Sequence, residues 1–209
     1  MIPLAHAYAQ GGGGGGDDDT SKKKRDSEWN LRQAPLPGQK NAGPCPYVKV
    51  LYDAARYEEF KDGQEASNSV GYTGEIEGVA AQCAYRTTDP IKVNMRLTFE
   101  LGRGPQATES KKTYTYWVAV THRNRAVLAK EYFTLPVSFP AGKDRVTLTD
   151  DVNGIVIPRA DATVAGDNFE ILVGFDVTPQ MADFNREGKR FRINAGAAAA
   201  GGGGASGGR

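Results

Sequence analysis

An alternating segment in the middle of the chain constrains the fold more than any other feature. In IKVNMRLTFEL, apolar residues occupy every second position from Ile91 to Leu101, and polar or charged residues fill the positions between them. Because successive side chains of a β-strand point to opposite faces, this period predicts a strand with one buried face. An amphipathic helix would need a different apolar spacing. The chain is therefore predicted to contain a long, half-buried strand.

The same alternation recurs later in the chain. FEILVGFDV, at 169–177, predicts a second strand of this kind. The segment TYTYWVAVTHRNRAVLAKEYFTLPVSF predicts a β-hairpin whose strands are joined across 122–125. Pro136 inside the second strand predicts a sheet edge or a local kink, because proline cannot donate to the ladder. The expected shared faces are Tyr114, Tyr116, Val118 and Val120 on the first strand, and Val127, Ala129, Phe133, Leu135, Val137 and Phe139 on the second.

Weaker strand patterns lie at 47–52, 75–85, 145–149 and 154–158. Gly74 and Gly78 predict a bulge or a close backbone approach in the second of these. Between the last two, TDDVNG predicts an Asx-type turn. The alternative is a Ca²⁺ site with oxygen ligands from Asp150, Asp151 and Asn153, although the distal Glu of an EF-hand is missing.

Helix signals are few. In TPQMADFNRE, Thr178 is a suitable N-cap and Pro179 suits the first helical position. DAARYEEF, at 53–60, predicts at most a short helical turn. About eight strands with one or two small helices predict an all-β fold. We expect an antiparallel β-sandwich of immunoglobulin-like topology with one short C-terminal helix, and a jelly roll or small barrel is the alternative.

Glycine divides the chain into a central domain and two tails. Of the 26 glycines, 14 lie outside residues 41–193. Residues 1–40 also carry a run of three aspartates, the basic run KKKR and few apolar side chains. We predict a signal remnant and disordered linker at 1–40, one β-sandwich domain at 41–193, and a disordered Gly/Ala-rich tail at 194–209.

The first nine residues resemble the end of an export signal. Ala7-Tyr8-Ala9 has the small-x-small pattern of a cleavage site, but a basic n-region and an apolar h-region do not precede it. We expect export if an upstream start supplies those regions, with a mature chain beginning at Gln10.

The two cysteines fit an oxidising compartment. Together with the signal-like start, Cys45 and Cys83 predict a disulfide, and two buried thiols are the alternative. Two cysteines and two distant histidines do not have the spacing of a zinc site. We therefore predict no metal and no cofactor.

The charge of the predicted domain does not favour nucleic acid. Residues 41–193 carry 19 basic and 20 acidic side chains, a net charge of −1, whereas nucleic-acid-binding domains usually show a basic surplus. The KKKR run is flanked by aspartates that mute its field. No apolar run approaches the roughly 20 residues that span a bilayer. We predict no nucleic-acid partner and no transmembrane segment.

Catalytic signals are missing from the sequence. His122 is the only histidine of the predicted domain, and its place in the hairpin turn fits an exposed turn residue better than a general base. No nucleophile elbow and no phosphate-binding glycine loop is present. We predict that the protein is not an enzyme.

Two groups of residues are candidates for binding. YVKVLY follows Pro-Cys-Pro and has one charged interruption, so it predicts a sheet edge that accepts a strand from a partner. Aromatic residues on the hairpin predict a surface that a covering loop is expected to shield, and the alternative is an exposed platform for a sugar or a protein. The candidate residues are Val48, Val50 and Tyr52 at the edge, and Tyr116, Trp117 and Tyr132 on the hairpin.

Two segments carry a resemblance to known proteins. GPCPYVKVLYDAARYEEF and FEILVGFDVTPQMADFNREGKRF resemble segments of uncharacterised exported or lipoprotein-type proteins of Gram-negative, particularly alphaproteobacterial, cell envelopes. The resemblance implies a periplasmic or outer-membrane-associated location and does not indicate a particular activity. The chain departs from the lipoprotein pattern in one respect, because Gln10 rather than a cysteine follows Ala9. We expect a non-enzymatic envelope protein acting through protein–protein contacts or self-association, with a carbohydrate-binding module around Trp117 as the alternative.

Overall fold

The computed structural model describes residues 43–190 except Asn124, and these residues form two four-stranded sheets packed face to face. The strand order is β1-β8-β5-β6 in the first sheet and β2-β3-β4-β7 in the second. The predicted β-sandwich is confirmed, and the immunoglobulin-like topology stays a prediction. The elements are β1 (Tyr47–Val50), β2 (Arg56–Phe60), β3 (Val70–Ala84), β4 (Ile91–Arg103), β5 (Lys111–His122), β6 (Val127–Ser138), β7 (Arg145–Ile157), β8 (Phe169–Phe175) and one helix, α1 (Pro179–Arg186).

The core lies between the sheets and is built from the alternating side chains that the sequence predicts. The apolar positions of β4, from Ile91 to Leu101, are all buried. At the centre, the ring of Phe99 lies 5.1 Å from that of Tyr116 and 5.7 Å from that of Phe175, measured between centroids. Burial of these large rings from both sheets supplies much of the driving force for packing the two layers.

The predicted hairpin of β5 and β6 is confirmed, with one correction. The two strands pair antiparallel with Tyr116 opposite Phe133, and Leu135 and Val137 are buried as expected. A register shift between Val120 and Thr121 places Val127 opposite Thr121, out of phase with the core positions, and both Val127 and the in-phase Ala129 are exposed where the groove opens. A bulge of one residue moves every later side chain to the other face of a strand.

The segment TDDVNG is not a turn between two strands. Residues 145–157 form one strand, β7, and the register with β4 shifts between Val93 and Met95. Gly154 has a φ of +79°, which glycine adopts without steric cost, and its N–H donates to Asn94 Oδ1 at 3.0 Å. The predicted turn is therefore a glycine bulge inside β7.

The first of the two predicted helical segments is also mostly strand. A single 3₁₀ turn covers Tyr52–Ala54, and Arg56–Phe60 form β2 beside β3. Sheet pairing overrides the weak helical preference of DAARYEEF, as tertiary contacts commonly do. The predicted bulge in β3 is present, since its register with β4 shifts between Ile76 and Gly78.

The predicted C-terminal helix is confirmed. Thr178 Oγ1 accepts a hydrogen bond from the N–H of Met181 at 3.3 Å, and Pro179 is the first residue of α1. The helix buries Met181 and Phe184, and Phe184 contacts Phe60 of β2 at 5.1 Å between ring centroids. Helix α1 therefore packs against the β2 end of the second sheet.

Candidate functional site

The two lateral sides of the sandwich differ, and we name them by their edge strands. The closed side is the side where β1 and β2 form the sheet edges, and the open side is the side where β6 and β7 form them. The difference between these sides identifies the surface that is free to bind another molecule.

The closed side is held by a covalent bond between the sheets. The predicted disulfide is present: Cys45, just before β1, is bonded to Cys83 of β3, with the two Cα atoms 5.8 Å apart. Because β1 belongs to the first sheet and β3 to the second, this bond links the two layers. Closing a loop with a sequence separation of 38 stabilises the fold by about 4 kcal/mol in the chain-entropy estimate.

Helix α1 completes the closed side through one buried amide. Asn185 Nδ2 donates to the carbonyl oxygens of Asp53 at 2.9 Å and Arg56 at 2.8 Å. Asn185 Oδ1 accepts from Arg56 Nε at 3.2 Å, and both side chains are buried. A carbonyl of edge strand β2 is thereby occupied by the protein itself.

A second buried charge lies next to Arg56 on the same face of β2. Burial raises the pKa of Glu58 to about 7, against the opposing effect of Arg56 and with a further rise from Glu75. A carboxylate removed from water is costly to ionise, so it takes up a proton near neutral pH. The closed side therefore contains a titratable group whose charge opposes folding above that pH.

The open side has no such covering in the described part of the chain. Strands β6 and β7 are joined at one end by residues 139–144, where Phe139 is buried in the core. Beyond that end the sheets leave a groove of about 450 Å³. It is lined by Val118, Val120, Ala129, Lys130, Glu131 and Phe133 of the first sheet and by residues 151–156 of the second.

The outward backbone groups of β6 follow from its pairing with β5. Phe139 N–H donates to the carbonyl of Ser110 at 2.7 Å, so odd-numbered residues of β6 direct their backbone groups towards β5. The N–H and C=O groups of Lys130, Tyr132 and Thr134 then point to the open edge. Within the described residues these groups have no hydrogen-bond partner.

Strand β6 also exposes apolar side chains along this edge. Tyr132 has 57% of its surface exposed, and Val127 and Leu128 are also exposed. Lys130 Nζ lies 4.3 Å from the ring centroid of Trp117 and 4.8 Å from that of Tyr132, so its ammonium group covers aromatic faces. The edge therefore combines unpaired backbone with apolar surface.

Strand β7, on the other lip of the groove, is protected. Asp151 is paired in a bidentate manner with Arg96, at 2.7 and 2.8 Å. Asp150 points inwards and accepts a hydrogen bond from the hydroxyl of Tyr116 at 2.8 Å. Charged side chains, an inward charge and the bulge at Gly154 are devices that prevent strand addition. Strand β6 has a bulge near Leu128 and Pro136 of its own, but between them its outward backbone groups lie beside the exposed Tyr132. This segment of β6 is the part of the two lips best suited to accept a strand.

The structure places the three predicted binding residues of the hairpin in different environments. Tyr116 lies in the core, where burial and the hydrogen bond to Asp150 raise the pKa of its hydroxyl. Trp117 is only 8% exposed, and its indole N–H donates to the carbonyl of Phe175 at 3.0 Å. Residues Ala54 and Val177 pack against Trp117. The expected covering of Trp117 is present, the alternative of an exposed Trp117 platform is not, and of the three hairpin candidates Tyr132 is the accessible one.

The predicted edge at YVKVLY is an edge strand, as its place in the sheet order shows. It pairs in parallel with β8, which the sequence did not indicate. Val48 is buried, Val50 is half-buried and Tyr52 is exposed beyond the strand. Val48 therefore contributes to the core, and the segment offers a far shorter edge than β6 does.

The other candidate sites have ordinary structural roles. His122 is the exposed last residue of β5, and its ring stacks on Phe169 with centroids 5.1 Å apart. Asp150 and Asp151 have the separate partners described above and do not form the Ca²⁺ alternative. Among the described residues, no group of three or more His, Cys, Asp or Glu side chains is arranged to hold a metal ion.

Comparison with known proteins adds no relative. No protein-family model matches the chain, and no curated protein matches it significantly. No helix between residues 43 and 190 is both long enough and apolar enough to cross a bilayer.

Proposed function

We propose that the protein is a non-enzymatic component of the cell envelope that binds protein chains through the free edge of β6. The observation that carries this proposal is the row of unpaired backbone groups at Lys130, Tyr132 and Thr134 beside exposed apolar side chains. Natural β proteins usually blunt such an edge unless another chain covers it. The β7 edge has paired charges and a bulge, whereas the β6 segment between its own bulge and Pro136 keeps outward backbone groups beside the exposed Tyr132.

Binding at this edge would extend the first sheet by one strand. The incoming backbone would donate to and accept from β6, which provides affinity without depending on sequence. Side chains on one face of the added strand would cover the groove between β6 and β7, where Val120 and Phe133 are half-buried. Side chains on the other face would lie beside Tyr132. These two surfaces supply the selectivity.

The disulfide supports the proposed envelope location. Disulfides such as Cys45–Cys83 persist in oxidising compartments and are rare in a reduced cytosol. The resemblance of two segments to exported proteins points to the same compartment, and the signal-like Ala7-Tyr8-Ala9 lies outside the described residues. Cell fractionation with N-terminal sequencing tests the location: we expect an envelope protein that starts at Gln10, and an intact Met1 in the cytosolic fraction contradicts it.

Carbohydrate binding around Trp117 is not proposed. A stacking platform needs an exposed aromatic face, and the indole of Trp117 is buried under Ala54 and the ammonium group of Lys130. Tyr132 alone is accessible on that face. A single exposed ring is equally suited to a protein contact.

The proposed function is tested by photo-cross-linking in cells that produce the protein naturally. A photoreactive phenylalanine analogue replaces Leu128, which is exposed at the β6 edge. The full chain is compared with the variants Thr134→Pro and Thr147→Pro, since both threonines are exposed residues of edge strands. Thr134→Pro removes an outward donor of β6, whereas Thr147→Pro removes one from the protected β7 edge.

We expect a protein adduct in the parent chain and in Thr147→Pro, and its loss in Thr134→Pro. Equal adducts in all three chains would show that the contact does not use the β6 backbone. The absence of any protein adduct would contradict the proposed function directly.

A further inference from the structure

The outward groups of β6 are arranged so that the strand can pair with a second copy of itself. In an isologous pair, residue i faces residue j and residue j faces residue i across a two-fold axis. The backbone groups of Lys130, Tyr132 and Thr134 form a continuous run with both N–H and C=O directed outwards. Pro136, next in the series, offers a carbonyl alone.

Tyr132 is the position at which this run is complementary to itself. With Tyr132 on the axis, Lys130 faces Thr134 of the second copy, and both positions can donate and accept. Pro136 then faces Leu128 at the end of the ladder, where its missing N–H leaves no gap between bonded positions. On the groove face, Glu131 lies opposite Phe133. No like charges face each other in this register.

The neighbouring registers are less favourable. An axis at Lys130 or at Glu131 places that residue opposite its own copy, and like charges directly opposite destabilise a sheet. An axis at Phe133 places Pro136 opposite Lys130, so that the missing donor interrupts the ladder between bonded positions. The sequence of β6 thus favours the register centred on Tyr132 over those centred on Lys130, Glu131 or Phe133.

The side chains at the axis support the same register. Directly opposite residues in a hydrogen-bonded antiparallel pair have Cα atoms about 5.5 Å apart, a distance at which two aromatic side chains interact. Tyr132 is the most exposed large apolar side chain of the described residues. Lys130 Nζ already lies 4.8 Å from its ring centroid, so the pair of rings would carry a cation on each side.

Electrostatic repulsion between copies is weak. The chain has a formal net charge of +1 at pH 7, and a net charge near zero favours association of like molecules. A net charge this small provides little long-range attraction for a strongly charged partner. A second copy is therefore the partner that the charge and the register both fit.

We infer that the chain seated on the β6 edge is β6 of a second copy, paired antiparallel with Tyr132 on the two-fold axis. This inference rests on the proposed function of the β6 edge and names the partner for that same site. The eight strands of the two first sheets would then form one continuous sheet across the dimer.

Site-specific disulfide trapping on the full chain tests the register. The variants Tyr132→Cys, Lys130→Cys and Thr134→Cys are each made with Cys45 and Cys83 left in place. Under mild oxidation, Tyr132→Cys is expected to link to itself, because a distance of about 5.5 Å between Cα atoms suits a disulfide. Lys130→Cys and Thr134→Cys are expected to link about tenfold faster when mixed than when each is alone, because pairing raises their effective concentration.

The Tyr132→Cys variant lacks the ring that lies on the proposed axis, so association of the unsubstituted chain is measured separately by sedimentation. We expect a concentration-dependent monomer–dimer equilibrium that Thr134→Pro abolishes and Thr147→Pro preserves. A monomer at all concentrations, or equal linking by all three single-cysteine variants, would overturn the inference. If the chain is monomeric but the Leu128 cross-linker still captures a different protein in a manner sensitive to Thr134→Pro, the proposed function stands and only the identity of the partner is wrong.

Discussion

The two lateral sides of this sandwich differ in how far the rest of the chain covers their edge strands. On the closed side, the Cys45–Cys83 bond ties the layers together and Asn185 occupies backbone carbonyls near β2. On the open side, β7 has paired charges and a bulge, whereas β6 keeps outward backbone groups beside the exposed Tyr132, between its own bulge and Pro136. This comparison leads to predictions about folding stability for the closed side and about amide hydrogen exchange for the open side.

The largest effect is expected from cutting the covalent link of the closed side. Replacing Cys45 and Cys83 together by alanine removes the cross-link without burying new polar groups. We expect the free energy of unfolding to fall by about 4 kcal/mol, as the chain-entropy estimate gives for a loop of this length. Urea unfolding of the oxidised chain and the double variant measures this difference.

A reducing agent provides the matched control for the cysteine experiment. It should lower the unfolding midpoint of the unsubstituted chain and leave that of the double variant unchanged. Equal midpoints for the oxidised chain and the double variant would show that the closed side does not depend on the disulfide.

A smaller effect is expected from the buried carboxyl group of β2. The pKa of Glu58 is about 7 in the folded protein against an ordinary value of 4.5, so the folded state holds the proton more tightly than the unfolded state does. The contribution of Glu58 to the free energy of unfolding is therefore fully present below pH 4.5 and is lost as pH rises towards 7. Glu58→Gln should therefore increase stability at pH 8 by up to about 3 kcal/mol.

Urea unfolding of the Glu58→Gln variant and its parent across this pH range checks the sign. The two chains should have similar stabilities at pH 4 and diverge above it. The exposed Glu109 gives the control variant Glu109→Gln, whose difference from the parent chain should not change with pH in this way. A parent chain that gains stability relative to Glu58→Gln with rising pH would contradict the assignment.

The amide that joins α1 to the closed side should give the smallest of these stability effects. Asn185→Ala leaves Arg56 Nε and two carbonyl oxygens without their partner. Unsatisfied buried groups cost roughly 1–3 kcal/mol, so we expect a loss of about 2 kcal/mol. Arg186→Ala, which removes only an exposed ion pair with Asp53, should cost less than about 1 kcal/mol. Equal losses in thermal unfolding would show that the buried amide does not hold the helix.

Much of the fold was predictable from the sequence because it depends on local periodicity. The alternation in β4, β5 and β8 identified the core faces, and Thr178 with Pro179 identified the start of α1. The predictions were wrong where a bulge changed the phase, at Val127 and Gly154. A bulge depends on the register between strands, and one strand's own pattern does not contain that information.

The candidate site was less predictable for the same reason. Tyr132 was identified as a binding residue, but Trp117 and Tyr116 are covered by parts of the chain distant in sequence. Pro136 was the one local signal of the β6 edge, since proline occurs in sheets where its nitrogen faces away from the ladder. Which of the edges stays open depends on the strand order, and that order is a property of the whole fold.

Residue-resolved amide hydrogen exchange along β6 tests the central claim most directly. In dilute full-length protein, the amides of Lys130, Tyr132 and Thr134 should exchange much faster than those of Phe133 and Leu135, because only the latter pair donate to β5. Raising the protein concentration should slow the three fast amides selectively as the edge becomes paired. Uniform protection of all five amides in the dilute monomer would contradict the account, because it would show that the edge of β6 is already occupied within a single chain.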